Sequence, residues 1–339
     1  AMNIGAADVH FQPAHLLFLI QLFAGVGIVL HAEAGDIGHD GLVEALLQPG
    51  QFLRDDLFHT GILQAHGIDH AGGAFRNAGG GVAEPGIDWT KVTMFHLDEY
   101  VGLDEKFGYW RDTHMRITGT AVQALQTRFI LDWNYANRKH IIPFEPYLAD
   151  SEKEQRTGSP VQIISSGPDT HEKSIRDTYL RMIHKANRSI YIQTPYFIPD
   201  EAIFSALLIA TRSGIEVNIM IPCKPDHPFV YWATYSYIGE LVLAGANCYT
   251  YNNGFIHAKG IVVDEEVLCY CTANMDIRSF GLNFEVNAVI YDRKKAAEMA
   301  AYFREDLKVS QKITKNGYLS RPLCQRIKEQ VCRLFSPVL

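Results

Sequence analysis

The sequence has no apolar run long enough to make a typical membrane-spanning helix. The stretch from Leu16 to Leu30 is apolar apart from Gln21, but a spanning helix needs roughly 20 such residues. No Lys or Arg flanks the stretch as in a signal peptide. The pattern therefore predicts a buried helix or a segment lying at an interface.

Metal-ligand and disulfide patterns are also lacking. The six cysteines include no CxxC pair and no zinc-type spacing, which favours reduced, mostly buried thiols in a cytosol-facing protein. His66 and His70 have the spacing of one helix face, but Gly67 disfavours a helix there and no Glu stands in the position that zinc peptidases require. We expect neither a metal site nor a cofactor.

A basic surplus is missing as well. Residues 1–96 hold three Lys or Arg against ten acidic residues, and the remainder holds 28 of each sign. Nucleic-acid grooves are normally basic, so the charge argues against a nucleic-acid partner. The break in composition predicts a boundary near residue 96.

What the sequence does contain is a set of polar residues at regular spacing around an apolar strand. His257 and Lys259 are two apart, which places an imidazole and an ammonium on one strand face. Asp264 has the opposite parity and is expected off that face, at a turn. Thr272 and Asn274, again two apart on the returning strand, offer a hydroxyl and an amide. The pattern predicts a phosphate-binding pocket with a reactive histidine.

The chain from 158 to 339 alternates between strand and helix patterns, which predicts an α/β fold with a mixed sheet flanked by helices. Predicted strands are Ile190–Phe197, Ile215–Ile221, Cys248–Tyr251 and Phe284–Tyr291, and predicted helices are Glu201–Arg212 and Val230–Leu243. Before this region, a strand at Thr113–Ile117 and a helix through Trp133 are predicted, and the charged stretch Ser151–Arg156 reads as a linker.

The motif His257-x-Lys259-x4-Asp264, followed by Thr272-x-Asn274, is the signature of the phospholipase D superfamily. The surrounding sequence resembles the bacterial cardiolipin synthases from about Tyr100 to Leu339. Further matching stretches begin at Tyr109, Ala124, Ser165, Gln193, Pro225 and Asn283. The resemblance implies one complete phospholipase D-like domain at 158–339, the tail of a first such domain at 98–150, and an unrelated or poorly defined segment at 1–97.

Within that segment, residues 87–100 weakly resemble glucosamine-6-phosphate deaminases, where a similar strand ends in an acidic pair. Asp98 would match the enolising base of that family. No other part of that family is visible in the sequence, so we do not expect its activity. We interpret Asp98–Leu103 as the join between two unrelated segments.

The cardiolipin synthase resemblance implies metal-free transfer between two phosphatidylglycerol molecules, giving cardiolipin and glycerol through a phosphohistidine. By that resemblance His257 is the acid that protonates the departing glycerol. The expected catalytic residues are His257, Lys259, Asp264 and Glu285, and Lys259, Thr272 and Asn274 would hold phosphate oxygens. Glu285, on the next strand, is predicted to hydrogen-bond the other nitrogen of His257 and fix its tautomer.

Members of the family normally carry two such motifs, whereas this sequence has one. His171-x-Lys173 comes closest to a second, but position 178 is Thr and the segment reads as a helix. Two alternatives to an impaired phosphatidyltransferase are therefore open. The chain is a homodimeric phosphodiesterase or nuclease in which each copy supplies one His257, or it is an inactive remnant that still binds phospholipid.

The resemblance also implies where such a protein works. The expected partners are a phospholipid substrate, phosphatidylglycerol, and a membrane surface, with a homodimer as a possible assembly and no nucleic acid. The expected location is the bacterial cell membrane, with the catalytic domain facing the cytoplasm.

Overall fold

The structure, a computed structural model, describes residues 4–13 as backbone, together with residues 106–136, 141–148, 158–224 and 226–338. The apolar stretch Leu16–Leu30, the pair His66 and His70, Asp98 and the linker Ser151–Arg156 lie outside the described residues. The predictions made for them stay predictions, as do the three domain boundaries.

A ten-stranded mixed sheet forms the centre of the described part, in the order β14-β8-β7-β5-β10-β11-β13-β4-β1-β3. The strands β5, β7 and β8 run parallel to one another, and the other neighbours in the sheet are antiparallel. The strands of this sheet are β1 Ile4–Pro13, β3 Thr113–Gly119, β4 Ser159–Ser166, β5 Ser189–Gln193, β7 Glu216–Pro222, β8 Asn247–Tyr251, β10 Gly260–Val263, β11 Val267–Cys271, β13 Glu285–Ile290 and β14 Ser310–Lys312.

Two pairs of short strands lie outside this sheet. The first joins β2 Trp110–Arg111 to β9 Phe255–Ile256, and the second joins β6 Phe197–Ile198 to β12 Met275–Asp276. The helices are α1 Ala121–Ala136, α2 Ser174–Lys185, α3 Glu201–Arg212, α4 Pro228–Ala244, α5 Ile277–Gly281, α6 Arg293–Asp306, α7 Lys315–Leu319 and α8 Leu323–Leu334. No helix among the described residues is long and apolar enough to span a membrane.

Both faces of the central strands are covered, which explains why these strands read as continuous apolar runs. Alternate residues enter two different cores. Ile261 and Val263 of β10 join the larger core with helices α2, α3 and α4, whereas Val262 between them joins the core beneath α6. The predicted α/β fold, a mixed sheet flanked by helices, is confirmed.

The predicted element boundaries agree with the structure to within a few residues, with one exception. The strand predicted at Ile190–Phe197 is divided into β5 and β6, with Thr194–Tyr196 between them. Pro195 has no backbone N–H, so a strand that continued through this position would lose one hydrogen bond of the sheet. The division brings β6 beside β12, close to the motif residue Asn274.

The strand β1 lies between β3 and β4 in the main sheet. Seven of its residues pair with β3 and four pair with β4. Residues 4–13 therefore extend the same sheet that carries the motif strands. The sequence pattern of the first hundred residues did not predict this strand.

Candidate active site

His257 and Lys259 lie in the connection between β9 and β10, just before a central strand of the main sheet. The backbone N–H groups of His257 and Ala258 both donate to the carbonyl of Arg111, at 2.8 and 3.2 Å. Nζ of Lys259 donates to the backbone carbonyl of His257 at 2.6 Å. The two side chains of the motif are therefore held together, as their spacing predicts, although just before the strand rather than within it.

The imidazole of His257 has a carboxylate partner from a distant part of the chain. Nδ1 of His257 lies 2.7 Å from Oδ2 of Asp112, and the backbone N–H of Thr113 donates to Oδ1 of the same carboxylate at 2.8 Å. The ring of Trp110 packs beside the imidazole, with centroids 4.8 Å apart. The prediction that Glu285 bonds His257 is corrected here, because Asp112 makes that contact.

The surroundings set the protonation of this pair. His257 and Lys259 lower the pKa of Asp112 despite its burial, so the carboxylate is ionised. Burial lowers the pKa of His257, as does the ammonium of Lys259, and Asp112 acts in the opposite direction. An ionised carboxylate only accepts hydrogen bonds. The resting imidazole is therefore neutral, with its proton on Nδ1 and its Nε2 suited to accept a proton or attack phosphorus.

A buried ion pair anchors the segment that carries Asp112. Arg111 donates from Nε to Oδ1 of Asp306 at 3.1 Å, and its second nitrogen lies 3.0 Å from Oδ2. Gln193 donates to Oδ2 of Asp306 at 2.8 Å. Close packing continues at Gly254, whose φ is +105° and where an added Cβ would lie 1.9 Å from the carbonyl oxygen of Tyr109. These contacts fix β2 beside β9 and so fix Asp112 beside His257.

Glu285, at the start of β13, is a second carboxyl group within electrostatic reach of Lys259. Its carboxyl is only 5% exposed, and Oε2 has no hydrogen-bond partner among the described residues. Asn283 donates to Oε1 at 3.3 Å. Burial raises the pKa of Glu285 to about 7. Lys259 lies within electrostatic reach of both Asp112 and Glu285.

Thr272 and Asn274 lie in the segment between β11 and β12. The hydroxyl of Thr272 bridges to β13, accepting from the N–H of Val286 at 2.9 Å and donating to the carbonyl of the same residue at 3.2 Å. The amide of Asn274 hydrogen-bonds Asp276, and its Oδ1 is buried without a partner among the described residues. The phosphate-binding role of both residues stays a prediction.

Asp264 is the motif residue that lies apart from the pocket. It occupies the left-handed turn after β10, with φ of +54°. Its carboxylate accepts three backbone N–H bonds, from Asn187, Arg188 and Ser189, at 2.8, 2.7 and 2.9 Å. The position off the His257 face agrees with its parity in the sequence. These hydrogen bonds fix the segment before β5, and the expected catalytic role of Asp264 stays a prediction.

Asp226, in the matching stretch that begins at Pro225, is a further neighbour of His257. Its charge acts to raise the pKa of His257. Tyr196 hydrogen-bonds its carboxylate, and the N–H of His227 donates to Oδ1 at 2.7 Å. Asp226 and Asp112 both fall in stretches that match the family pattern. That match was the one signal in the sequence that pointed to them, because neither belongs to a short local motif.

Comparisons with known proteins find sequence matches to the family that the motif predicts. Residues 179–307 match the family model described as "Cardiolipin synthase, PLD-like domain". Over 243 residues, or 71% of the chain, the sequence is 59% identical to the major cardiolipin synthase ClsA of Bacillus subtilis and covers 50% of that protein. A cardiolipin synthase of Staphylococcus aureus is 52% identical over the same length, with 49% of it covered.

Among solved structures, the fold is similar to phosphatidylserine synthase from Haemophilus influenzae. The TM-score is 0.53 at 14% sequence identity, with 71% of this chain and 66% of that chain covered. This likeness concerns the fold alone. The chain spans about half the length of the curated relatives that it matches.

Proposed function

The chain carries the phospholipase D-like domain of cardiolipin synthases, as its motif predicts, and from this premise we propose that it acts in phosphatidyl transfer. The proposed reaction converts two phosphatidylglycerol molecules into cardiolipin and glycerol. The observation that supports it best is the 2.7 Å contact between His257 and Asp112 beside the ammonium of Lys259. This arrangement combines a group that moves protons with a cation that attracts a phosphodiester.

In this proposal His257 moves protons at Nε2. A phosphodiester anion bound beside His257 and Lys259 favours the protonated imidazole, and Asp112 stabilises the imidazolium. The P–O bond to glycerol breaks as a nucleophilic imidazole bonds to phosphorus, and His257 gives its proton to the departing oxygen. In the second half, neutral His257 takes the proton from the hydroxyl of the second phosphatidylglycerol, which displaces the imidazole. Such acid–base catalysis contributes about 10²–10⁴-fold.

The nucleophilic imidazole must be a second one, and Glu285 marks where we expect it. Its Oε2 is buried without a partner among the described residues, and Glu285, like Asp112, lies within electrostatic reach of Lys259. An imidazole that donates from Nδ1 to this oxygen would be oriented as His257 is by Asp112. The sequence has no second motif to supply it. We therefore propose that the chain by itself is impaired and that a second polypeptide supplies the missing imidazole.

The proposed substrate also fits a membrane setting. Phosphatidylglycerol carries one phosphodiester charge, which the Lys259 ammonium would neutralise, and it resides in a bilayer. We propose a location at the bacterial cell membrane. The cytoplasmic orientation of the site stays a prediction from the resemblance.

The test is to incubate the purified 339-residue chain with phosphatidylglycerol vesicles and to measure cardiolipin and released glycerol. The variant His257→Ala is the matched control. We expect any cardiolipin that the wild type forms by itself to fall by at least about 10²-fold in the variant. Equal product from both proteins would remove His257 from the mechanism.

The same assay separates the two alternatives. Hydrolysis of bis(4-nitrophenyl) phosphate that depends on His257, with no cardiolipin formed, would identify a phosphodiesterase. No turnover of either substrate, together with retained binding of phosphatidylglycerol, would identify a lipid-binding remnant.

A further inference from the structure

The outer face of helix α8 is apolar and exposed. Leu323, Ile327, Val331 and Leu334 are 69%, 53%, 45% and 79% exposed, and they recur at intervals of four, four and three residues. This spacing places them in one stripe along the helix. In a helix of a soluble protein such a stripe normally faces the core, whereas here it faces outward.

The inner face of α8 explains why the helix cannot simply turn its apolar stripe inward. Glu329 is fully buried and accepts two hydrogen bonds from Arg321, at 2.8 and 2.7 Å. Gln325 donates to the same carboxylate at 3.1 Å. Turning the helix over would bury apolar side chains but would strand this ion pair. The orientation of α8 is therefore specified by polar contacts on its protein side.

The apolar stripe belongs to a larger surface. Leu319 at the end of α7 and Leu243 at the end of α4 line the same groove as Leu323 and Ile327, and both are exposed. Contiguous exposed apolar surface of this kind marks an interaction site more often than a random feature. We call the set of Leu243, Leu319, Leu323, Ile327, Val331 and Leu334 the α8 surface.

The charges around the α8 surface are mostly cationic, and the acidic Glu240 of α4 is paired with Arg333 of α8. Lys315, Arg326 and Lys328 are exposed on or beside α8. Between residues 315 and 339 the sequence holds one acidic residue, Glu329, which is buried against Arg321. An apolar stripe bordered by cations is the pattern of a helix that lies in the interface of an anionic bilayer. A second copy of this chain would bring like charges together across a two-fold axis.

We propose that the α8 surface docks on the anionic face of a lipid bilayer, with its leucines and isoleucine inserted at the boundary between headgroups and acyl chains. Arg326 and Lys328 then lie at the level of the phosphates. This inference goes beyond the proposed reaction and does not involve His257. It assigns a membrane contact to a described part of a chain in which no described helix spans a bilayer.

The experiment measures binding of the full chain to vesicles of phosphatidylglycerol and to vesicles of phosphatidylcholine, by co-sedimentation. We expect binding to the anionic vesicles that weakens with added salt. The double variant Leu323→Glu, Ile327→Glu should bind at least about tenfold more weakly, because charged residues do not enter the interface. The control Ile209→Glu, at an isolated position on α3 that is 60% exposed, should bind as the wild type does.

A second variant tests the charge component separately. Arg326→Gln with Lys328→Gln should weaken binding to phosphatidylglycerol by about fivefold for each charge, and should leave binding to phosphatidylcholine unchanged. All variants are compared at equal thermal stability by circular dichroism, and binding is also measured with His257→Ala. Because no turnover is needed, loss of activity and loss of docking are read independently.

Three results would overturn the proposal. The first is a wild type that binds neither type of vesicle. The second is binding that is equal in the wild type and in Leu323→Glu, Ile327→Glu. The third is a shift from dimer to monomer in that variant, seen by light scattering, with vesicle binding unchanged, which would assign the α8 surface to a second copy of the chain.

Discussion

Asp112 and Glu285 both lie within electrostatic reach of the Lys259 ammonium, but their hydrogen bonding and their pKa shifts differ. Asp112 has an imidazole partner at 2.7 Å and a backbone N–H on its other oxygen, and its pKa is lowered. Glu285 is buried with Oε2 unpartnered among the described residues, and burial raises its pKa to about 7. We call the Asp112 carboxylate the complete side of the site, because both of its oxygens have partners. We call the Glu285 carboxyl the open side, because its Oε2 is an unsatisfied acceptor.

This difference gives the missing second motif a physical meaning. A buried carboxyl with an unsatisfied oxygen costs free energy unless a partner or a proton compensates it. In the isolated chain the proton does so near neutral pH. We infer that a partner carrying an imidazole would replace that proton, which is the basis for proposing a two-histidine site.

The largest effect is expected at the complete side. Asp112→Asn should lower the rate of cardiolipin formation by about 10²–10⁴-fold in any preparation in which the wild type is active, because the tautomer and the imidazolium lose their support. Independently of turnover, the pKa of His257 should fall by about 1 unit or more, measured by NMR titration. Asp169→Asn, which alters a carboxylate paired with Arg128, is the control. An unchanged His257 pKa would contradict the assignment.

The next effect concerns the ion pair between Arg111 and Asp306, which anchors the segment that carries Asp112. Arg111→Met should lower the free energy of unfolding by about 3–5 kcal/mol, because it leaves Asp306 buried without its cation. Urea titration measures the loss. The matched control is Arg293→Met, whose exposed pair with Glu266 should contribute no more than about 1 kcal/mol. Equal losses in the two variants would show that Arg111 does not anchor the segment.

At the open side, Glu285→Gln should stabilise the isolated chain at high pH. The folded-state pKa of Glu285, about 7, exceeds its ordinary value of 4.5, so the folded protein binds the proton more tightly than the unfolded chain does. Stability from this group is full below pH 4.5 and is lost as pH rises through 7. The variant should therefore gain up to about 3 kcal/mol over the wild type at pH 8–9 and nothing at pH 4.

Urea unfolding at several pH values measures that gain. A constant difference across the whole range would mean that the Glu285 carboxyl titrates normally and that its surroundings are already satisfied. Glu266→Gln, at a half-exposed carboxylate on the β10–β11 turn, serves as the control and should show no such dependence.

The smallest effect separates the pocket from the motif residue outside it. Asp264→Asn should lower the free energy of unfolding by about 2 kcal/mol at pH 7, because an amide accepts the three backbone N–H bonds less well. The pKa of Asp264 is lowered, so this difference should vanish as pH falls through the folded-state pKa. The rate of cardiolipin formation should stay within about threefold of the wild type. A loss as large as that of Asp112→Asn would place Asp264 in the reaction.

The sequence predicted the parts of the molecule that depend on local spacing. Helix α3 was predicted with the bounds that the structure shows, since Asp200 caps its start and its apolar residues recur with helical period. The pairing of His257 with Lys259 also followed from spacing. The partner of His257 did not, because Asp112 lies 145 residues away and reaches the imidazole only through the pairing of β2 with β9.

Glu285 is a second residue of the site whose hydrogen-bond partner could not be predicted from the sequence. Its place on the strand after the motif suggested proximity to His257, and it does lie near Lys259. Which carboxylate bonds which imidazole depends on how segments distant in sequence cross at the pocket. The outward orientation of the apolar stripe on α8 could not be predicted from the sequence either, because such a stripe alone predicts a buried helix face. The ion pair between Glu329 and Arg321 holds the opposite face of α8 against the protein.

The tautomer of His257 shows whether Asp112 holds the imidazole proton on Nδ1, the contact on which the proposed reaction depends. In the wild type at neutral pH, ¹⁵N NMR should show a protonated Nδ1 and a bare Nε2, with a downfield Nδ1 proton that disappears in Asp112→Asn. A proton on Nε2, or a spectrum that Asp112→Asn leaves unchanged, would contradict the account.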